Sequence, residues 1–263
     1  MHQNTNPNTS QQLPWAALIV LFAGLVLRMT LHDWHGLEGD DAFSLALSRY
    51  PISELVPGLF ALQLDVHPPL HFLLLKYWVG LAGESLLSLR YLNILMDLLT
   101  GALMVGVIRL LKGRHIWIVA LLWAASPLLI FGGWLARMYT LLGLWSVAAL
   151  ASVVWAGRGR WWLGVIAAAV CSLLAMYTHI TGVLVGAAAL CALVTLSLRA
   201  LPRPASPAAR LAGLAAIFAS AAAIFAPFAV NVAGLYFSGA SLGVSVNPAN
   251  AVPPSAIPGA VLA

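Results

Sequence analysis

From residue 15 to residue 236 apolar positions come in long unbroken runs, without the alternation of a half-buried strand or the narrow stripe of a helix on a water-soluble core. A helix needs roughly 20 mostly apolar residues to cross a bilayer. Six runs meet that requirement, at about 15–31, 116–135, 138–156, 161–178, 180–198 and 211–236. A seventh, from Leu86 to Leu111, is long enough to span although it carries Arg90 near its start and Asp97 near its middle. The stretch from Pro68 to Ala82 is shorter, contains His71 and Lys76, and suits a helix lying along the surface. The pattern predicts an all-α fold: a polytopic transmembrane bundle of about seven spans over residues 15–237, with juxtamembrane helices in a first outer loop at 32–85.

Positive charge supplies the orientation, because Lys and Arg in short loops are held on the cytoplasmic side. With Pro68 to Ala82 lying flat, the inner loops collect Arg109, Lys112, Arg114, Arg158, Arg160, Arg199, Arg203 and Arg210. The outer side keeps Arg28, Arg49, Lys76, Arg90 and Arg137. Were Pro68 to Ala82 to span, every later loop would flip and the larger group would move outside, against the rule. Seven spans with an inside N-terminus obey it, and function is then to be sought in the loop 32–85 and in the outer segment after Phe237.

Composition agrees with lipid as the main solvent. Sixty-two per cent of the residues are hydrophobic and 8% charged, too little polar surface to cover a water-soluble exterior. The net charge of +5 does not point to nucleic acid, since the basic residues stand singly or in short groups at the ends of apolar runs. Cys171 and Cys191 both fall within such runs, where packing is expected rather than a disulfide framework or a thiolate metal site. Residues 1–14, rich in Asn, Gln and Thr, are expected to form a disordered tail. Residues 238–263, rich in Gly, Ser, Pro and Val, are expected to begin an outer loop of a longer protein.

All eight acidic residues lie between Asp33 and Asp97, which confines any carboxylate chemistry to that stretch. In Glu38-Gly39-Asp40-Asp41-Ala42-Phe43, one aspartate can cap a helix predicted over Ala42 to Ser48 while the other faces a substrate hydroxyl as a general base. A solvated acidic loop is the alternative. In Asp65-Val66-His67-Pro68-Pro69-Leu70, Pro69 is suited to a first helical turn and Pro68 stiffens the approach, which places Asp65 and His67 at the mouth of a surface helix. There they can bind a phosphate, a metal or a sugar hydroxyl, or serve structure alone. Arg90 and Arg137 are candidate phosphate ligands or snorkelling residues. Asp97, within a span, is expected to hydrogen-bond another helix, and His179, at the outer end of its span, to contact a ligand.

Taken in order, the acidic pair after the first span, Asp65-Val66-His67-Pro68-Pro69-Leu70, Leu89-Arg90, Ser126-Pro127 and Ala136-Arg137-Met138-Tyr139 resemble the membrane glycosyltransferases of the GT-C class. Within that class the chain is similar to bacterial members of the dolichyl-phosphate-mannose-protein mannosyltransferase family, over roughly residues 35 to 150. It departs from them in having Trp134-Leu135 where relatives show Gln-Glu. The resemblance implies a seven-helix module with two juxtamembrane helices in its first outer loop, a lipid-linked sugar donor (a polyprenyl-phosphate sugar), and an active site on the outer face of a bacterial plasma membrane. The acceptor is left open between protein, lipid and glycan, and so is the use of a divalent cation. Asp40 takes the role of base, Asp41 that of its orienting neighbour or a cation ligand, and Arg137 and Tyr139 that of holding the lipid phosphate. A membrane transporter and a non-catalytic membrane subunit are the rival readings.

Overall fold

The computed structural model describes residues 15–32, 36, 39–113, 115–199 and 205–238. The opening tail, Glu38, Arg114, Arg203 and the segment from 239 onward lie outside the described residues. Among the described residues every regular element is helical. In chain order these are α1 (Trp15–Thr30), α2 (Gly39–Arg49), α3 (Ile52–Phe60), α4 (Leu70–Ala82), α5 (Leu86–Leu110), α6 (Ile116–Ala125), α7 (Pro127–Trp134), α8 (Tyr139–Gly157), α9 (Trp161–Thr178), α10 (Gly182–Leu198) and α11 (Pro207–Phe237).

Four helices, α5, α8, α9 and α11, are long and apolar enough to cross a membrane, and α6 with α7 makes a fifth if that bent pair is one span. These are the helices of an integral membrane protein. α1 and α10 are apolar but have only 16 and 17 residues, about 24 to 26 Å against a hydrocarbon core of about 30 Å. The count by length therefore falls below the seven that hydropathy predicts. α4, 13 residues long, is too short to span, and α2, α3 and α4 together form the helical part of the segment between α1 and α5.

The predicted span 116–135 is broken at Ser126-Pro127, where α6 and α7 meet at 56°. Proline has no N–H, so the carbonyl of Trp123 loses its helical partner. Arg28 replaces it: Nη2 donates to the Trp123 carbonyl at 3.0 Å and Nη1 to the Ala124 carbonyl at 3.4 Å. The same guanidinium donates through Nε to Asp97 Oδ2 at 2.6 Å and lies 4.0 Å from the Trp123 ring centre. Trp123 Nε1 in turn donates to Asp97. Asp97 thus does make the interhelical bond expected of it. Arg28, grouped by charge bias with the outer cations, is instead fully buried. Gly24 and Gly101 make this hub possible, because a Cβ at either position would come within 2.6 Å of the Trp123 ring.

The second half is a series of antiparallel helices. Gly164 lets α9 approach the backbone of α8, where a Cβ would lie 2.6 Å or less from Ser152 O and Ala156 N. A core of Trp161, Val165, Ala168, Leu193, Leu214 and Phe218 joins α8 to α11. α2 and α4 pack on the start of α5 through Leu45, Leu75, Leu89 and Leu92. α3 docks on α9 and α11, where Phe60 meets Tyr177 and Phe228 and its carbonyl accepts from Asn231 Nδ2 at 2.7 Å. The short helices therefore cover the end of the bundle at which α5 and α8 begin and α9 stops.

Replacing Arg28 by Leu leaves Asp97 buried without its cation, and the expected loss is roughly 3–5 kcal/mol of stability. Replacing Asp97 by Leu as well recovers part of it, since no isolated charge then remains. Unfolding in detergent, followed for both variants, reads the difference.

Candidate active site

The site grows out of a second helix break. Leu135–Met138, between α7 and α8, is not helical, so its peptide groups need partners from elsewhere. Side chains from three helices supply them. Asp41 Oδ1, on α2, accepts the Ala136 N–H at 2.7 Å, and His71 Nε2, on α4, donates to the Ala136 carbonyl at 3.2 Å. Asn93, on α5, donates to the Leu135 carbonyl and accepts from Thr140 Oγ1 at 3.0 Å. Ala136 and Met138 are fully buried, which fixes the peptide carrying Arg137 between them.

α2 begins at Gly39, three residues ahead of the predicted start, so Asp40 and Asp41 both lie in its first turn. Carboxylates are favoured there by the exposed N–H groups of the helix end. Neighbouring residues on a helix point about 100° apart, and the two aspartates divide accordingly. Asp41 is buried, held by Ala136 N–H and 3.7 Å from Arg90 Nη2. The Asp40 side chain is 69% exposed, with Oδ2 3.7 Å from Arg137 Nε.

Arg137 stands between two carboxylates, for its Nη1 is also 3.7 Å from Asp65 Oδ2. Neither ion pair closes to hydrogen-bonding distance, and Arg137 Nε has no hydrogen-bond partner among the described residues. Asp65 Oδ1 accepts both the backbone N–H of His67, at 3.2 Å, and its ring Nδ1–H, at 2.8 Å. Burial works to raise the Asp65 carboxyl, but the His67 hydrogen bonds and the charges of His67 and Arg137 outweigh it and hold the group below its ordinary value. Pro69 occupies the N-cap of α4, one residue before the first turn predicted for it.

With Nδ1 committed to Asp65, His67 is left with Nε2, which has no protein partner among the described residues. Its ring lies 5.0 Å from that of His179, which in turn lies 6.3 Å from Tyr139. His179, immediately after α9, has Nδ1 held by the hydroxyl and N–H of Thr181 at 2.7 and 3.1 Å. Burial first, then the charges of His67 and Arg137, lower its pKa. Arg90 is arranged differently. Its guanidinium donates to the carbonyls of His32 and Gly36, so it ties down the chain that leaves α1.

All eight residues singled out in the sequence therefore fall in one connected cluster: Arg90, Asp41, Asp40, Arg137, Asp65, His67, His179 and Tyr139. Tyr139 also lines an apolar cavity of about 490 Å³ between α5, α7 and α8, bounded by Leu128, Phe131, Gly132 and Gly143. Among the described residues no group of three or more His, Cys, Asp or Glu side chains is set to hold a metal ion. Sequence reasoning missed Asn93 and Thr140 and used His71 only as evidence against a span. The signal for Asn93 was available, because it precedes Asp97 by one helical turn and shares its face of α5. Trp134, where the resemblance expects Gln, donates its indole N–H to the Arg28 carbonyl at 3.1 Å and joins α7 to α1.

Comparison of the chain with protein-family models, with curated proteins and with solved structures finds no match.

Burial also pushes the pKa of His71 down to about 4, against the pull of its bond to the Ala136 carbonyl. His71 and His179 are therefore neutral in the folded protein at a pH where the unfolded chain already binds their protons. Stability contributed by the neutral rings is complete above the unfolded value of about 6.5 and falls as pH drops toward 4. His71→Gln keeps a donor for the Ala136 carbonyl without titrating. It is expected to flatten the decline between pH 6.5 and 4, measured as the unfolding midpoint against pH.

Proposed function

We propose that this chain is a glycosyltransferase that moves a sugar from a polyprenyl-phosphate donor to an acceptor hydroxyl at the outer membrane face. On this reading the short apolar helices α1 and α10 also cross the bilayer, giving seven spans in all. The observation that carries the proposal is the setting of Arg137. A guanidinium sits between Asp40 and Asp65 without closing on either, beside a histidine whose free ring nitrogen is oriented by a carboxylate. An apolar cavity opens alongside, at Tyr139.

Each part has a role in such a transfer. Asp40, the exposed acid, takes the proton of the acceptor hydroxyl as its oxygen attacks the anomeric carbon. The bond from that carbon to the phosphate oxygen breaks, the configuration inverts, and polyprenyl phosphate leaves. Arg137 receives the charge that grows on the departing phosphate, which its planar fork can meet with two donors. Of the two arginines it is the better suited, because Arg90 is engaged with backbone carbonyls. His67 Nε2 contacts a sugar hydroxyl, and His179 and Tyr139 provide the face against which the donor lies. The cavity between α5, α7 and α8 accommodates the first isoprenoid units.

Asp40→Asn preserves the shape of the side chain and removes its basicity, and the expected effect is a roughly 10²- to 10⁴-fold fall in turnover. Purified protein incubated with polyprenyl-phosphate sugars, with release of polyprenyl phosphate as the readout, tests this. Undiminished release by the Asn variant would sink the assignment of Asp40, and no release from any donor by the unaltered protein would sink the reaction itself.

A further inference from the structure

At the opposite end of the bundle lies a second cavity, of about 510 Å³, between α5 and α8. Leu103, Gly106, Val107 and Leu110 line it from α5 at one-turn spacing, and Ala151 and Trp155 line it from α8. Two exposed cations, Arg109 and Arg158, also line it. Neither has an ion-pair or hydrogen-bond partner among the described residues. Residues 98–263, which include both arginines and every helix after α5, contain no Asp or Glu.

Geometry sets the depth of this pair. α5 runs from Arg90 in the first site to Arg109, and α8 from Tyr139 in the first site to Arg158. At about 1.5 Å per residue both paths measure about 28 Å, close to the roughly 30 Å of a bilayer's hydrocarbon core. With the first site at one headgroup level, Arg109 and Arg158 stand at the other. A half-exposed indole, Trp155, shares their level, as aromatic side chains at membrane interfaces do.

We infer that this cavity binds one anionic phospholipid. Its acyl chain lies along Leu103, Val107 and Ala151, and its headgroup phosphate rests between the Arg109 and Arg158 guanidinium groups. The headgroup phosphate supplies the negative complement to these arginines that the described residues lack at this end, and the apolar floor distinguishes a lipid from a free phosphate. Because the site uses only α5, α8 and their far ends, it stands whether or not the first site transfers sugar.

The test is native mass spectrometry of the purified full chain after equilibration with vesicles of equimolar phosphatidylglycerol and phosphatidylcholine. Retention of one phosphatidylglycerol in at least fivefold preference to phosphatidylcholine is expected. The paired substitution Arg109→Gln and Arg158→Gln should abolish that preference, whereas Arg199→Gln, at the same end but outside the cavity, should leave it intact. Equal retention of the two lipids by the unaltered protein would overturn the inference, a measurement that does not depend on any variant folding. So would an Arg199→Gln loss as large as that of the pair, which would mean general attraction of the basic rim. Displacement of the bound lipid by millimolar inorganic phosphate would show that only the anion is recognised, and would overturn it too.

Discussion

A peptide group buried away from water must find its partner within the protein, and this constraint governs both places where the helices are interrupted. At Ser126-Pro127 the carbonyls freed by the break are taken up by Arg28, whose Nε binds Asp97. At Leu135–Met138 the freed groups are taken up by Asp41, His71 and Asn93. In each case polar side chains that would be costly in a span are stabilised because a broken helix offers them partners. The break and the buried polar residue explain each other, and neither would persist alone.

The second interruption makes the candidate site. A continuous helix through residues 127–157 would turn Arg137 wherever its helical position dictated. The non-helical link instead buries Ala136 and Met138 and leaves Arg137 directed at Asp40 and Asp65. Asp41 then has a positional role, since it joins the first turn of α2 to the very link that carries Arg137. The adjacent aspartates thus separate into a buried one that shapes the site and an exposed one available to a substrate.

How much of this could be read from the sequence follows from the range of each interaction. The helices were legible because apolar runs reflect a local property, the solvent around each segment. So was the chemistry-bearing set, because a carboxylate or arginine at a membrane boundary is conspicuous against an apolar background. What was not legible depended on contacts between distant segments. Arg28 resembled any cation at a helix end, and only its pairing with Asp97, 69 residues on, shows it to be interior. The bend at Ser126-Pro127 was hidden because hydropathy continues smoothly across it. The start of α2 was placed late because Asp40 or Asp41 reads as the cap of the helix, whereas both lie in its first turn.

The charge distribution links the two ends of the molecule. All the acids lie within Asp33 to Asp97, and of those described, Asp40, Asp41 and Asp65 face Arg90 and Arg137 while Asp97 is matched to Arg28. Arg49 likewise pairs with Glu84 across 2.5 Å. The cations near the start of α5 and α8 are therefore largely compensated within the protein, and those near their far ends are not. A phosphate arriving at the first end must compete with carboxylates already beside Arg137, which favours a ligand whose negative charge is greatest in the transition state over one bound tightly beforehand. At the far end no such competitor stands among the described residues, which is what the proposed resting anion requires. On the two readings proposed here, arginine would serve transient charge at one end of the bundle and permanent charge at the other, the difference being set by where the carboxylates are.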